Sequence, residues 1–168
     1  MLILEKKKRI LVLRVNNFHQ YNFIDEHKKC LETSTYVWML KAGRPLADKS
    51  LDEVIKDGGY LILKEPKGSG NRYYACLISE VKQGHKSDDM IHPAYYKELF
   101  ADGISLAGTW LKISGIIEID EAHLSLFELV KNKKQMTEIV STTRSPILFV
   151  TTRETLFIKD VEIGKAVH

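Results

Sequence analysis

Two apolar runs, Tyr60-Leu-Ile-Leu63 and Tyr73-Tyr-Ala-Cys-Leu-Ile-Ser-Glu-Val81, are joined by a short polar stretch carrying Lys67-Gly-Ser-Gly-Asn71. A connection that short holds no crossover helix, so the runs are expected to pair antiparallel as a hairpin with a loose, glycine-containing loop. Both are apolar enough for a buried sheet wall. A doubly wound parallel sheet, which needs a long helix after each strand, becomes the weaker solution.

Short strands and short helices flank this hairpin. Ile10-Leu-Val-Leu-Arg-Val15 is rich in β-branched and aliphatic residues and predicts a strand, with a turn at Asn16-Asn17. From Asn22 the period becomes helical: Phe23, Ile24, His27, Cys30 and Leu31 share one face, while Asp25 and Glu26 can pair with Lys28 and Lys29. On that face His27 is expected to be hydrogen-bonded and partly buried. Tyr36 to Leu40 reads as a buried strand that ends in Lys41-Ala-Gly-Arg-Pro45, where Gly43 and Pro45 impose a turn. Ser50 with Glu53 forms a capping-box pattern, Leu51, Val54 and Ile55 an apolar stripe, and Gly58 a stop, which predicts a helix of about two turns.

After a polar loop, Pro93 is expected to open a helix through Tyr95, Tyr96, Leu99 and Phe100. Trp110 to Ile119 reads as a long strand with Gly115 as a candidate bulge. Ser125 with Glu128 repeats the capping-box pattern and predicts a second short helix, and Pro146 to Thr151 and Leu156 to Ile158 read as closing strands. The expected fold class is therefore α+β: a small mixed β-barrel with short helices outside. Residues 1–35 would form an N-terminal strand-helix extension packed on the barrel, and residues 36–168 the barrel domain.

Charge narrows the functional classes. The chain carries 25 basic and 22 acidic residues, a net +3, so binding to nucleic acid would need local clustering of cations and not a generally basic surface. Lys6-Lys7-Lys8-Arg9 and Lys131, Lys133 and Lys134 are such clusters, each readable as a solvated turn. The two cysteines, Cys30 and Cys76, sit in apolar patterns without metal or disulfide spacing, and the apolar runs at the N-terminus are too short for a signal core or a membrane span. A cytoplasmic protein without membrane association is expected.

In order and spacing the elements resemble the PUA-like superfamily, and within it the EVE and ASCH-type domains. The resemblance covers roughly residues 36–152. It is carried by Tyr36-Val-Trp-Met-Leu-Lys41, the helix ending in Asp57-Gly-Gly59, Tyr60-Leu-Ile-Leu63 and Tyr74-Ala-Cys-Leu-Ile-Ser-Glu-Val81, then by Trp110, Leu124-Ser-Leu-Phe-Glu-Leu129 and Thr143-Arg-Ser-Pro-Ile147. It implies a pocket at the barrel mouth that receives one flipped-out base, often a modified one, from DNA or RNA. Aromatic faces for stacking and polar groups for the base edge are what such a pocket requires. Tyr36, Trp38, Tyr74 and Trp110 are the aromatic candidates, and Lys41, Arg44, Arg144 and Ser145 the polar ones, for phosphate or base edge. No cofactor is implied, and any protein partner is left open.

Two other functions stay in view. Some ASCH-type proteins hydrolyse acylated cytidine with a threonine nucleophile three residues after a lysine and a glutamate on a later strand. Here Lys41 and Glu80 match, but Arg44 stands where that pattern has threonine, which removes the attacking hydroxyl. The third class is a protein-interaction module that uses the barrel without nucleic acid. His85, Asp88, Asp89 and His92 are chelating types within a polar loop, with no helix or hairpin to set a metal geometry, so no metal site is expected. Gly68-Ser-Gly70 lacks the lysine-threonine continuation of a phosphate-binding loop.

Overall fold

The computed structural model of the chain describes residues 1–42, 44–66, 70–101, 108–142 and 147–159. In chain order the elements are β1 (Leu2–Leu4), β2 (Ile10–Arg14), α1 (Phe23–Thr33), β3 (Val37–Ala42), α2 (Asp48–Lys56), β4 (Tyr60–Lys64), β5 (Tyr73–Gly84), α3 (Tyr96–Ala101) and β6 (Gly108–Glu118). A 3-10 helix (Glu121–Leu126), β7 (Phe127–Leu129), α4 (Met136–Thr142), β8 (Ile147–Thr152) and β9 (Leu156–Ile158) follow. The class is α+β. Seven strands form one mixed sheet in the order β3-β6-β5-β4-β2-β8-β7, and β1 pairs with β9 in a separate two-stranded ribbon. Among the described residues the seven-stranded sheet is not closed: β3 and β7 are its edges.

The β4–β5 hairpin forms at the heart of the sheet, with Leu61 opposite Cys76 and Leu63 opposite Tyr74. β2 lies parallel to β4 on one side and antiparallel to β8 on the other. The N-terminal segment thus contributes an interior strand of the sheet, together with α1. Alternation sorts the strands between two cores. Ile10, Val12, Ile62, Tyr73, Ala75, Ile117 and Val150 pack beneath Leu2, Leu4, Leu156 and Ile158 of the ribbon. On the opposite face Leu11, Leu13, Leu61, Leu63, Cys76, Ile113 and Met39 pack against Phe23 and Ile24 of α1 and Leu51 and Val54 of α2.

Gly115, at φ +64°, sits where two residues of β6 oppose one of β5, between the pairs Leu77–Ser114 and Ala75–Ile117. This is the bulge its sequence position predicted. α1 begins at Asn22, whose side chain accepts from the Asp25 N–H. α2 ends in Gly58 and Gly59, whose N–H groups return to Ile55 and Val54.

Neither capping box forms. α2 starts two residues before Ser50, from Ala47 with no side-chain cap. Ser125 lies within the 3-10 helix, and Phe127–Leu129 continues as strand β7. There the burial of Phe127 and Leu129 on one face and pairing with β8 outweigh the local helix signal.

Candidate functional site

The aromatic residues expected to build a pocket are mostly core. Trp110 is fully buried and Trp38 is 6% exposed, both packed with Met90, Tyr95 and Tyr96 under α3. Tyr74 is buried in the other core, facing α1, with the Lys28 ammonium 5.2 Å from its ring centre. Tyr36 is half-buried, and Lys112 Nζ stands 4.2 Å over its ring. No common surface brings Tyr74 to the two tryptophans. Lys41, next to the end of β3, has Nζ 3.4 Å from the Ala42 carbonyl and 3.3 Å from that of Arg44, whose side chain is exposed. Arg144 and Ser145 lie outside the described residues.

A cleft of about 320 Å³ opens elsewhere, between the end of β2, the free edge of β3 and α3. Its walls include Arg14, Asn16, Phe18, Leu40, Lys41, Ala42 and Tyr95. Of the expected site residues that are described, Lys41 is the one that reaches it.

The loop from Asn16 to Asn22 shapes one wall. Phe18 and Tyr21 exchange two main-chain hydrogen bonds (3.1 and 2.8 Å) around His19, which adopts φ +51°. This tight turn presses Phe18 and Tyr21 onto Tyr95, with near-parallel rings at 6.4 and 5.1 Å. The Tyr21 hydroxyl donates to Glu98 Oε1 of α3 (3.1 Å), and Asn17 Oδ1 accepts from the Phe23 N–H (2.8 Å) at the start of α1.

Beneath the cleft runs a buried polar chain. The Phe23 carbonyl can only accept, so His27 Nδ1, 2.7 Å away, carries the proton. His27 Nε2 then accepts from the Tyr96 hydroxyl (2.7 Å), whose oxygen accepts from the Leu40 N–H (3.1 Å). α1, α3 and the edge of β3 are thereby tied together. Burial holds the His27 imidazole neutral, lowering its pKa to about 3, and the same cause raises the Tyr96 phenol well above its ordinary value.

From the sequence, Asn16-Asn17 reads as a turn, Tyr95 and Tyr96 as helix residues and His27 as a buried histidine. What the sequence does not signal is that these three segments converge. The spacing of Phe18, Tyr21, Tyr95 and Tyr96 contains no periodicity that links them, because the contact spans about seventy residues.

The hydrolase arrangement is not assembled. Lys41 is in register with Thr109 and, through it, with Gln83, whereas Glu80 pairs with Lys112. Three strand positions, roughly 10 Å along the sheet, separate the two groups. Among the described residues no three His, Cys, Asp or Glu side chains are grouped to hold a metal ion, His85, Asp88, Asp89 and His92 included. Among the same residues no helix is long and apolar enough to cross a membrane.

No family model matches this chain, and neither a curated protein nor a solved structure does.

Proposed function

We propose that the protein is a nucleic-acid-binding module, of PUA-like and EVE-related kind, that takes a single base, a modified one included, out of DNA or RNA into the cleft between β2, β3 and α3. The observation that carries this reading is the make-up of that cleft. It joins an aromatic wall, Phe18 and Tyr95, to a strand edge and to two cations, Arg14 and Lys41. Its volume falls at the small end of ligand pockets, the size class of one planar heterocycle and not of an extended polymer. An aromatic wall recognises the face of a base, polar main-chain groups its edge, and cations the attached phosphate.

Relative to the sequence expectation the pocket moves. Trp38, Tyr74 and Trp110 serve packing, and stacking passes to the half-buried Phe18, with the buried Tyr95 behind it. The separation of Lys41 from Glu80 disfavours the hydrolase alternative.

Fluorescence anisotropy with matched DNA and RNA oligonucleotides at two salt concentrations tests the reading. Binding should weaken with salt as phosphate contacts are lost. Lys41→Glu should shallow that salt dependence, and Phe18→Ala should cost about 1–3 kcal/mol of binding, one stacked base. No binding to any oligonucleotide at low salt would overturn it.

A further inference from the structure

The free edge of β3 offers the cleft a specific pair of main-chain groups. Among the described strands β3 is hydrogen-bonded on one side only, to β6. Along it the Trp38 N–H donates outward to the Ile91 carbonyl (2.8 Å) and the Leu40 N–H outward to Tyr96 Oη (3.1 Å). In an antiparallel pair the N–H and C=O of one residue point the same way, and alternate residues share a direction. The Leu40 carbonyl and the Ala42 N–H therefore face outward too, along the stretch Met39 to Ala42 that walls the cleft.

A second strand cannot use this edge. Extended pairing would need the Trp38 and Leu40 donors, and both are occupied. Along Met39 to Ala42 the Ala42 carbonyl is taken by Lys41 Nζ (3.4 Å), which leaves one acceptor, the Leu40 carbonyl, followed two residues on by one donor, the Ala42 N–H. A flat ligand with an adjacent N–H and acceptor satisfies both at once. The amide and amidine edges of nucleobases have that form.

Resting on the base-binding reading, we infer that the main chain of β3 reads the edge of the bound base: the Leu40 carbonyl accepts an N–H from it, and the Ala42 N–H donates to its neighbouring ring nitrogen or oxygen. The ligand class is thus a base that keeps at least one N–H beside an open acceptor. A single methyl on an exocyclic amine leaves such an N–H and is accepted. Two methyls on that amine, or one on the adjacent ring nitrogen, remove a partner and leave a main-chain group unsatisfied.

The test uses oligonucleotides differing at one nucleotide: adenine, N6-methyladenine, N6,N6-dimethyladenine and N1-methyladenine, with the corresponding cytosine series. The wild type should bind the unmodified and monomethyl forms within about threefold of each other and lose about tenfold or more on the dimethyl and ring-methylated forms. Ala42→Pro deletes the N–H at an edge position that tolerates proline, and should bring the unmodified oligonucleotides down to the dimethyl level, while Ala42→Gly binds as wild type. Wild-type binding with no discrimination across either series, or full binding by a folded Ala42→Pro protein, overturns the edge reading and leaves base binding standing. If no oligonucleotide binds, the base reading itself is overturned, and this inference with it. The wild-type series decides the question without the proline variant.

Discussion

His27 makes the stability of this protein depend on pH in a calculable way. In the fold its imidazole is fully buried, donates to the Phe23 carbonyl and accepts from Tyr96, so the neutral form is required and its pKa falls to about 3. In the unfolded chain the imidazole takes a proton near its ordinary value of 6.5. Between the two values the unfolded state binds the extra proton. The stabilising contribution is therefore complete above about pH 6.5 and is lost as pH falls toward the folded value. Going from pH 7 to pH 5, still well above the folded value, should remove about 2 kcal/mol at 1.36 kcal/mol per unit. For a chain of this size that is a fall in Tm of about 4–8 °C. Urea unfolding at both pH values, for wild type and for His27→Gln, measures it. Glutamine does not titrate, so the variant should lose far less between the two pH values, whatever its stability at pH 7. An equal loss in both proteins would refute the assignment of a buried neutral imidazole.

Other expectations test the packing and the site's surroundings. Trp110→Ala, which empties a fully buried position under α3, should cost about 3–5 kcal/mol by chemical denaturation, whereas exposed Arg44→Ala should stay within about 0.5 kcal/mol of wild type. Gly59 combines φ +73° with so close an approach to the Ile78 main chain that a Cβ would collide with the Ile78 carbonyl oxygen. Gly59→Ala should therefore destabilise by about 2–5 kcal/mol and shorten the native-state protection of the Ile78 amide, which donates to the Gly59 carbonyl. Glu65 is 2% exposed and accepts from the N–H and Nε of Arg72, so Glu65→Ala, which leaves those donors without their acceptor, should cost about 1–3 kcal/mol in the same assay. Burial raises the Cys76 thiol far above its ordinary pKa, so a thiol reagent at pH 8 should leave Cys76 unmodified in the native protein and label it only after unfolding.

Local chemistry was legible in the sequence wherever one segment settles its own shape. The Tyr60 to Val81 hairpin, the helical onset after Asn22, the Gly58 stop of α2 and the Gly115 bulge all follow from short-range rules on φ, hydrogen bonding and apolar spacing. So did the burial of His27 on the apolar face of α1. The capping-box pattern at Ser125 and Glu128 failed because it carries little energy beside the burial of Phe127 and Leu129 against β8.

Strand order belongs to the tertiary structure, since the sum of contacts among distant segments decides it. It places β2 between β4 and β8 and leaves β3 at an edge. That placement determines the candidate site. With β6 as its one neighbour among the described strands, β3 turns the Leu40 carbonyl and the Ala42 N–H toward the cleft, and α3 covers Trp38 and Trp110 while Tyr96 and Phe18 line the same cleft. An aromatic or a cation in a strand has the same sequence signature whether a helix covers it or solvent does, so the division between core and cleft came only with the packing of α1 and α3 around that strand.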